Sequence, residues 1–208
     1  MLSKTHITIG LATSLTVLAP QTPEEVLPIV VGGAIGSIIC DIDCTWKRPT
    51  KDALIGRCVA GVLALAAFLI DEMRQGILYR YYEHTGLLPV IIGILLFIGL
   101  CQGGRHTEHR TFSHSLLANL GLCLGVGFFC FPILPAFAIG IVTHLLLDVI
   151  NIREIQLFYP WKKGISLKLC PAKSKVDWIL FGVGLVWLLL WGWFHQSLFL
   201  EMVLAPAL

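Results

Sequence analysis

The sequence predicts an all-α, polytopic membrane protein: a single membrane-embedded domain over residues 1–208, built from about seven hydrophobic segments. Three observations lead there. The chain is 56% hydrophobic and only 13% charged, whereas a soluble domain is roughly a quarter charged. Apolar runs at 53–70, 87–100 and 178–194 approach the roughly 20 helical residues that cross a hydrocarbon core about 30 Å thick. The basic residues lie in the connections between such runs rather than along one face, so the formal charge of +2 gives no basis for a nucleic-acid partner. Membrane lipids are the expected surroundings.

The segments read, in order, 6–19, 26–40, 53–70, 87–102, 114–131, 133–148 and 177–198. The first two are short enough for half-spans or a re-entrant hairpin, with Pro20, Gln21, Thr22 and Pro23 forming the turn between them. The opening stretch has the outline of a signal peptide, but His6 interrupts its apolar region, no small-x-small cleavage site follows and further apolar segments would anchor the chain anyway. Pro132 and Pro135 mark the break between the fifth and sixth segments. The long polar connection at 149–176 mixes aromatics with lysines and is expected at the membrane surface. The seven cysteines lie mostly in or near apolar runs and read as reduced thiols, although Cys40 and Cys44, which bracket an acidic pair, also have metal-ligand character.

Orientation follows from the positive charges. With the amino terminus cytoplasmic, alternation of the segments puts all but Arg74 and Arg80 of the fifteen basic residues on that side, the bias expected of cytoplasmic loops in an inner (plasma) membrane.

The same topology sorts the ligand-type side chains. His6, Asp41, Asp43, His106, His109, His114, His144 and Asp148 all fall at the cytoplasmic ends of segments, whereas His84 and His195 fall at the other. In "HLLLDVIN", His144 and Asp148 stand four apart, one helical turn, so both heads can reach one ion. In "HRTFSHS", His109 and His114 would diverge by about 140° on one continuous helix; His109 is therefore expected in a loop and His114 in the first turn of the helix, with Thr111 or Ser113 as its cap. Asp41 and Asp43 suit an extended or turn-like exit from the second segment. Imidazoles and carboxylates together are the ligand set of zinc, manganese or iron, and a divalent cation would offset the cost of carboxylates at a membrane edge. Taken singly, His6 and His106 also suit a capping or snorkelling role, and Asp41 and Asp43 beside Lys47 and Arg48 suit a loop salt cluster. The pair on "HLLLDVIN" resists such a reading best, because an apolar helix has no structural use for two polar heads on one face.

With these residues in place, the sequence resembles the YdjM-like family of inner-membrane proteins, described as membrane-bound metal-dependent hydrolases. The matching features are Thr5-His6, Asp41-Ile42-Asp43, His109 to Ser115, His144 to Asn151 and the aromatic-proline stretch Phe158 to Trp161. Cys40 and Asn151 stand where the family pattern often has proline and threonine. The resemblance implies a divalent metal, zinc or manganese first, and a hydrolase acting on an ester or phosphoester of a lipid-like substrate at the cytoplasmic interface. On that reading His114, His144 and Asp148 are core ligands, and His6, Asp41 and His109 complete one or two metal positions. Asp43 is a further ligand or the general base, and Arg110 holds a phosphate or an oxyanion. An ion or metal transporter and a non-catalytic protein with a helix-tying metal are the competing readings.

Overall fold

The structure, a computed structural model, describes residues 1–43 and 50–204. Cys44, Lys47 and Arg48 lie outside the described residues. The helices are α1 (Ser3–Leu18), α2 (Pro23–Ile39), α3 (Lys51–Met73), α4 (Ile77–His84), α5 (Leu87–His106), α6 (Leu116–Phe129), α7 (Leu134–Ile150), α8 (Lys175–Phe194) and α9 (Gln196–Leu204), with 3-10 turns at Cys40–Asp43, Phe112–His114 and Phe131–Ile133. No strand occurs among the described residues; the 151–174 connection carries only two isolated bridges, Asn151 with Cys170 and Ile155 with Ile165.

Among the described residues five helical stretches are long and apolar enough to cross a membrane: Pro23–Asp43, Lys51–Met73, Leu87–His106, Phe131–Ile150 and Lys175–Phe194. The count of about seven is therefore not reached by length. The second segment, short enough in the sequence for a half-span or a re-entrant hairpin, is one of the five, while α1 and α6 have 16 and 14 residues. Two further differences have local causes. The last segment breaks at His195, whose ring stacks on Trp191 with 4.4 Å between centroids and whose Nδ1–H donates to the Trp191 carbonyl. The connection after α3 folds into α4 because the buried Asp71 carboxylate accepts from the Tyr79 N–H at 2.8 Å and its carbonyl from the Gly76 N–H.

Helix starts follow the expected chemistry, with one shift. Thr22, Thr50 and Ser174 cap α2, α3 and α8 by accepting from the N–H three residues on. The cap of α6 is Ser115, which accepts from the Ala118 N–H at 3.1 Å. Neither Thr111 nor Ser113 serves, and His114 lies in the preceding 3-10 turn rather than in the helix.

The core is built on a close crossing of α2 and α7. A methyl group on Gly32 would strike the Ile133 carbonyl, one on Gly36 the Phe137 carbonyl, and one on Gly140 the Ser37 backbone nitrogen. Only hydrogen at these positions lets the backbones touch, as small residues do between membrane helices. Phe137, fully buried, and Ile133 and Ile141 fill the space beside the crossing. The outer faces of α3, α5 and α8 present large apolar side chains, such as Leu65, Leu95 and Leu189, in the manner of lipid-facing surfaces.

Gly36→Val should therefore cost about 1–3 kcal/mol by overpacking and lower the melting temperature in detergent. Gly61 has nothing within 4 Å of its added methyl, so Gly61→Ala should be neutral or stabilising by up to about 1 kcal/mol. Equal thermal shifts for the two variants would show that the α2–α7 crossing is not tightly packed.

Candidate metal centre

α1, α2, α7 and the turn before α6 bring their polar residues together at one end of the bundle. His114, His144 and Asp148 are buried, and Asp41 is almost so. Ligand-type atoms of Asp41, His114, His144 and Asp148 all lie within 4.8 Å of one another. His114 Nε2 stands 3.4 Å from Asp148 and 3.7 Å from Asp41; His144 Nε2 stands 3.9 Å and 3.8 Å from the same carboxylates. His6 joins from α1, with its ring stacked on His144 at 3.9 Å and its Nε2 3.6 Å from Asp148. Two donors each about 2.1 Å from a tetrahedral ion are separated by about 3.4 Å, so these spacings match or slightly exceed a ligand shell.

The donor set fits a divalent ion. The Nε2 atoms of His6, His114 and His144 are buried without hydrogen-bond partners, a condition native interiors rarely tolerate, and all three face carboxylate oxygens. Burial works against a charged His114, but the carboxylates of Asp148, Asp43 and Asp41 outweigh it and raise the pKa of that imidazole above its ordinary value. The carboxylates thus favour positive charge at His114.

The Nδ1 atoms of His114 and His144, unlike that of His6, are held in the way metal-binding imidazoles are usually held. His144 Nδ1–H donates to the Ser37 carbonyl at 2.7 Å. The Ser113 hydroxyl donates to Asp43 at 2.5 Å and so presents its oxygen to His114 Nδ1–H at 3.0 Å. Both histidines are left with Nε2 as the basic nitrogen. Asp43 also accepts from His109 Nδ1–H at 2.8 Å and from the Arg110 N–H at 3.2 Å. Asp43, His109 and His114 form a second group with ligand-like spacing. Asn119 secures the turn by donating to the Ser113 and Ser115 carbonyls.

Arg110 sits beside the cluster with φ at 68°, a left-handed conformation that costs a non-glycine residue about 1–2 kcal/mol. Its guanidinium is largely buried, lies 3.1 Å from Asp148 and donates to the Arg153 carbonyl at 2.6 Å. The Met1 amino group also reaches Asp148, at 3.0 Å. A cleft of about 430 Å³ opens on this side, lined by Asp41, His109, Arg110, Asp148, Asn151 and Arg153 among others.

His6 is placed by carboxylates that sequence reasoning missed. α1 has no side-chain cap of its own. Its free N–H groups are met from other helices: Asp177 accepts from the Leu2 N–H and, at 2.8 Å, from the Thr5 hydroxyl, while Asp52 accepts from the Ser3 N–H at 2.9 Å. Negative charge at a helix amino end is favourable in itself. Ser37, Asn119, Asp52 and Asp177 are the residues the sequence reading did not single out, and Ser113 reads there as a cap; only "Ser-x-x-Asp" at 174–177, a capping pattern, gave any signal for the four. His106 is exposed at the end of α5, and His84, whose Nδ1–H donates to the Arg80 carbonyl, lies away from the cluster, as does His195.

In comparison with known proteins, the family model described as YdjM inner membrane protein matches residues 1–208, the whole chain. No curated protein and no solved structure matches.

Two sets of substitutions check the centre by elemental analysis of purified protein. His144→Ala and Asp148→Ala should each remove bound divalent metal, whereas His84→Ala and His195→Ala should leave it unchanged. Ser113→Ala should weaken metal affinity by about 10 to 100-fold, the usual effect of losing a group that orients a ligand. Full metal affinity in Ser113→Ala would sink the assignment of His114 Nε2 as a ligand atom.

Proposed function

From the premise that this chain belongs to the YdjM inner membrane protein family, we propose that it is a membrane-bound metal-dependent hydrolase cleaving an ester or phosphoester of a lipid-like substrate at the cytoplasmic face. The observation that carries this reading is the convergence of three unpartnered buried imidazole nitrogens and two carboxylates beside a polar cleft that also holds arginines. A structural metal has no need of such a cleft. A transport site is expected near the bilayer midplane between broken helices, whereas this cluster lies at helix ends.

His114, His144, Asp41 and Asp148, with His6, would hold the ion, zinc or manganese. Such an ion polarises the bond to be cleaved and makes water a nucleophile near neutral pH. The chain's own residues do the rest. Asp43 fixes His109 through Nδ1–H, the pairing that orients an imidazole for proton transfer; His109 lines the cleft and takes up or returns the proton there. Asp43 thus acts through His109 and Ser113, a positioning role beside its candidacy as base or ligand. Arg110, which lines the cleft with one guanidinium nitrogen on Asp148 and another on the Arg153 carbonyl, would offer its charge to an anionic oxygen of the substrate. The amino terminus and the loops near 45, 107 and 165 are then cytoplasmic, as the distribution of basic residues argues.

Arg110→Lys keeps a charge that can face Asp148 but loses the planar fork. Metal content should be unchanged while turnover of a lipid phosphoester falls by about 100-fold or more, the scale of losing one oxyanion donor. Full activity would remove Arg110 from substrate binding, and loss of metal would make it a support of the centre. Orientation has its own check: a cysteine introduced as Lys163→Cys should resist membrane-impermeant thiol reagents applied to intact cells, and its ready labelling from outside would reverse the topology.

A further inference from the structure

The polar cleft does not end at its polar wall. Leu2, Asp52 and Lys173 also border a second cavity of about 480 Å³, so the two spaces meet at these residues. The second space is a groove whose floor is α1, through Ile7 and Thr8, and whose sides are α3, through Ile55 and Val59, and α8, through Trp178 and Phe181. Its walls are almost wholly apolar. It runs alongside α3 from Asp52 to Val59, roughly 10 Å at 1.5 Å per residue, away from the cluster and along the apolar outer side of the bundle.

Charge is concentrated where the groove meets the cleft. Lys173 stands at the junction, and Lys4 lies over the Trp178 ring at 2.8 Å from its centroid, a cation–π contact that holds the ammonium at the groove's edge. Arg110 and Arg153 line the adjoining cleft. Asp52 is the acidic residue of the junction, and its Oδ2 already accepts from the Ser3 N–H and hydroxyl at 2.9 and 3.1 Å. The sequence of environments is therefore apolar slot, basic collar, and then metal-type cluster.

We propose that this groove takes one acyl chain of an anionic phospholipid, with the lysine collar at the phosphate and any further headgroup in the polar cleft beside His109 and Arg110. An amphiphile is the occupant whose own order of parts repeats that order of environments: chain, anionic phosphate, polar head. A soluble phosphoester would leave the apolar slot without purpose, and a neutral lipid would leave the collar without a partner. This rests on the reading of the cleft as the reaction site, but binding of the chain is measurable without turnover.

The experiment uses the purified full-length protein in phosphatidylcholine nanodiscs doped with phosphatidic acid that carries a photoactivatable diazirine in one acyl chain. Cross-links located by mass spectrometry should concentrate on Ile55, Val59 and the half-buried Phe181, ahead of Leu95 and Ile98 on the outer face of α5, whose exposure matches that of Ile55 and Val59. Val59→Trp, at a position 44% exposed, should cut groove labelling about tenfold, equivalent to about 1.4 kcal/mol of binding, with metal content unchanged. Ile55→Trp should do the same, and Ile98→Trp should not. Replacing Lys4 and Lys173 together by glutamine should bring labelling by phosphatidic acid down to that by a phosphatidylcholine carrying the same diazirine. Equal labelling of α5 and the groove, or no effect of either tryptophan, would overturn the acyl-chain site. Equal labelling of the unsubstituted protein by the two lipids would overturn its selectivity for an anionic lipid. A protein that labels as expected yet hydrolyses nothing would instead overturn the hydrolase reading and leave the lipid site standing.

Discussion

The hydrogen bond from His144 Nδ1 to the Ser37 carbonyl is the contact on which the site depends. It exists because Gly36 and Gly140 let α2 and α7 meet backbone to backbone. Ser37 lies within the last turn of α2, where the helix leaves carbonyls without partners of its own ladder. The acceptor is thus a property of where the helix ends, and the donor a property of where α7 crosses it. Once His144 is locked, its Nε2 and Asp148, one turn on, face the same space. His6 stacks against the locked ring, and His114 approaches from the other side, its centroid 5.4 Å away. A wider helix separation would break this bond first and then scatter the remaining donors.

Electrostatics sets the second constraint. Asp41 and Asp148 are carboxylates with little exposure, and three imidazoles with unpartnered Nε2 atoms surround them. Burying such a set without compensation costs several kcal/mol. Arg110 supplies part of the balance, and its placement requires a backbone conformation disfavoured for arginine. That strain is sustained by three bonds around it: the Arg110 N–H to Asp43, the Gln156 N–H to the Arg110 carbonyl, and the side chain to Arg153. Strain held by so many contacts is characteristic of functional positions, and here it aims a permanent cation into an acidic centre.

How much of this was legible in the sequence depended on whether the signal was local. The four-residue spacing of His144 and Asp148 placed both on one face, and the alternation of apolar segments gathered His6, Asp41, His109 and His114 at one end, as the structure arranges them. Contacts between helices left no such mark. The Ser37 acceptor is a backbone atom and has no residue signature. Asp177 and Asp52 cap a helix to which they do not belong. Ser113 read as a cap because hydroxyls near a helix start usually are; with Thr111, Ser113 and Ser115 within five residues, tertiary context decided, and Asp43 claimed Ser113 while Ser115 took the cap. Composition also does not separate long spans from short apolar helices: it reports burial in lipid or protein alike, and α1, largely covered by α2, α7 and α8, is apolar with 16 residues.

The amino ends of α1 and α6 both open on the cluster. α1 starts level with its longer neighbours, since Asp52 in the first turn of α3 accepts from the Ser3 N–H and Asp177 in the first turn of α8 from the Leu2 N–H. α6 starts where the 3-10 turn carrying His114 ends, and its Leu116 N–H donates to the Leu157 carbonyl of the non-helical 151–174 connection. Irregular backbone needs partners for its N–H and C=O groups, and this bond and the Ile155–Ile165 bridge supply some of them. On the proposed reading, a polar cleft reached from the side by an apolar groove would let a lipid bring its head to the cluster while its chain stays out of water, so the desolvation that a fully extracted lipid would suffer would not arise.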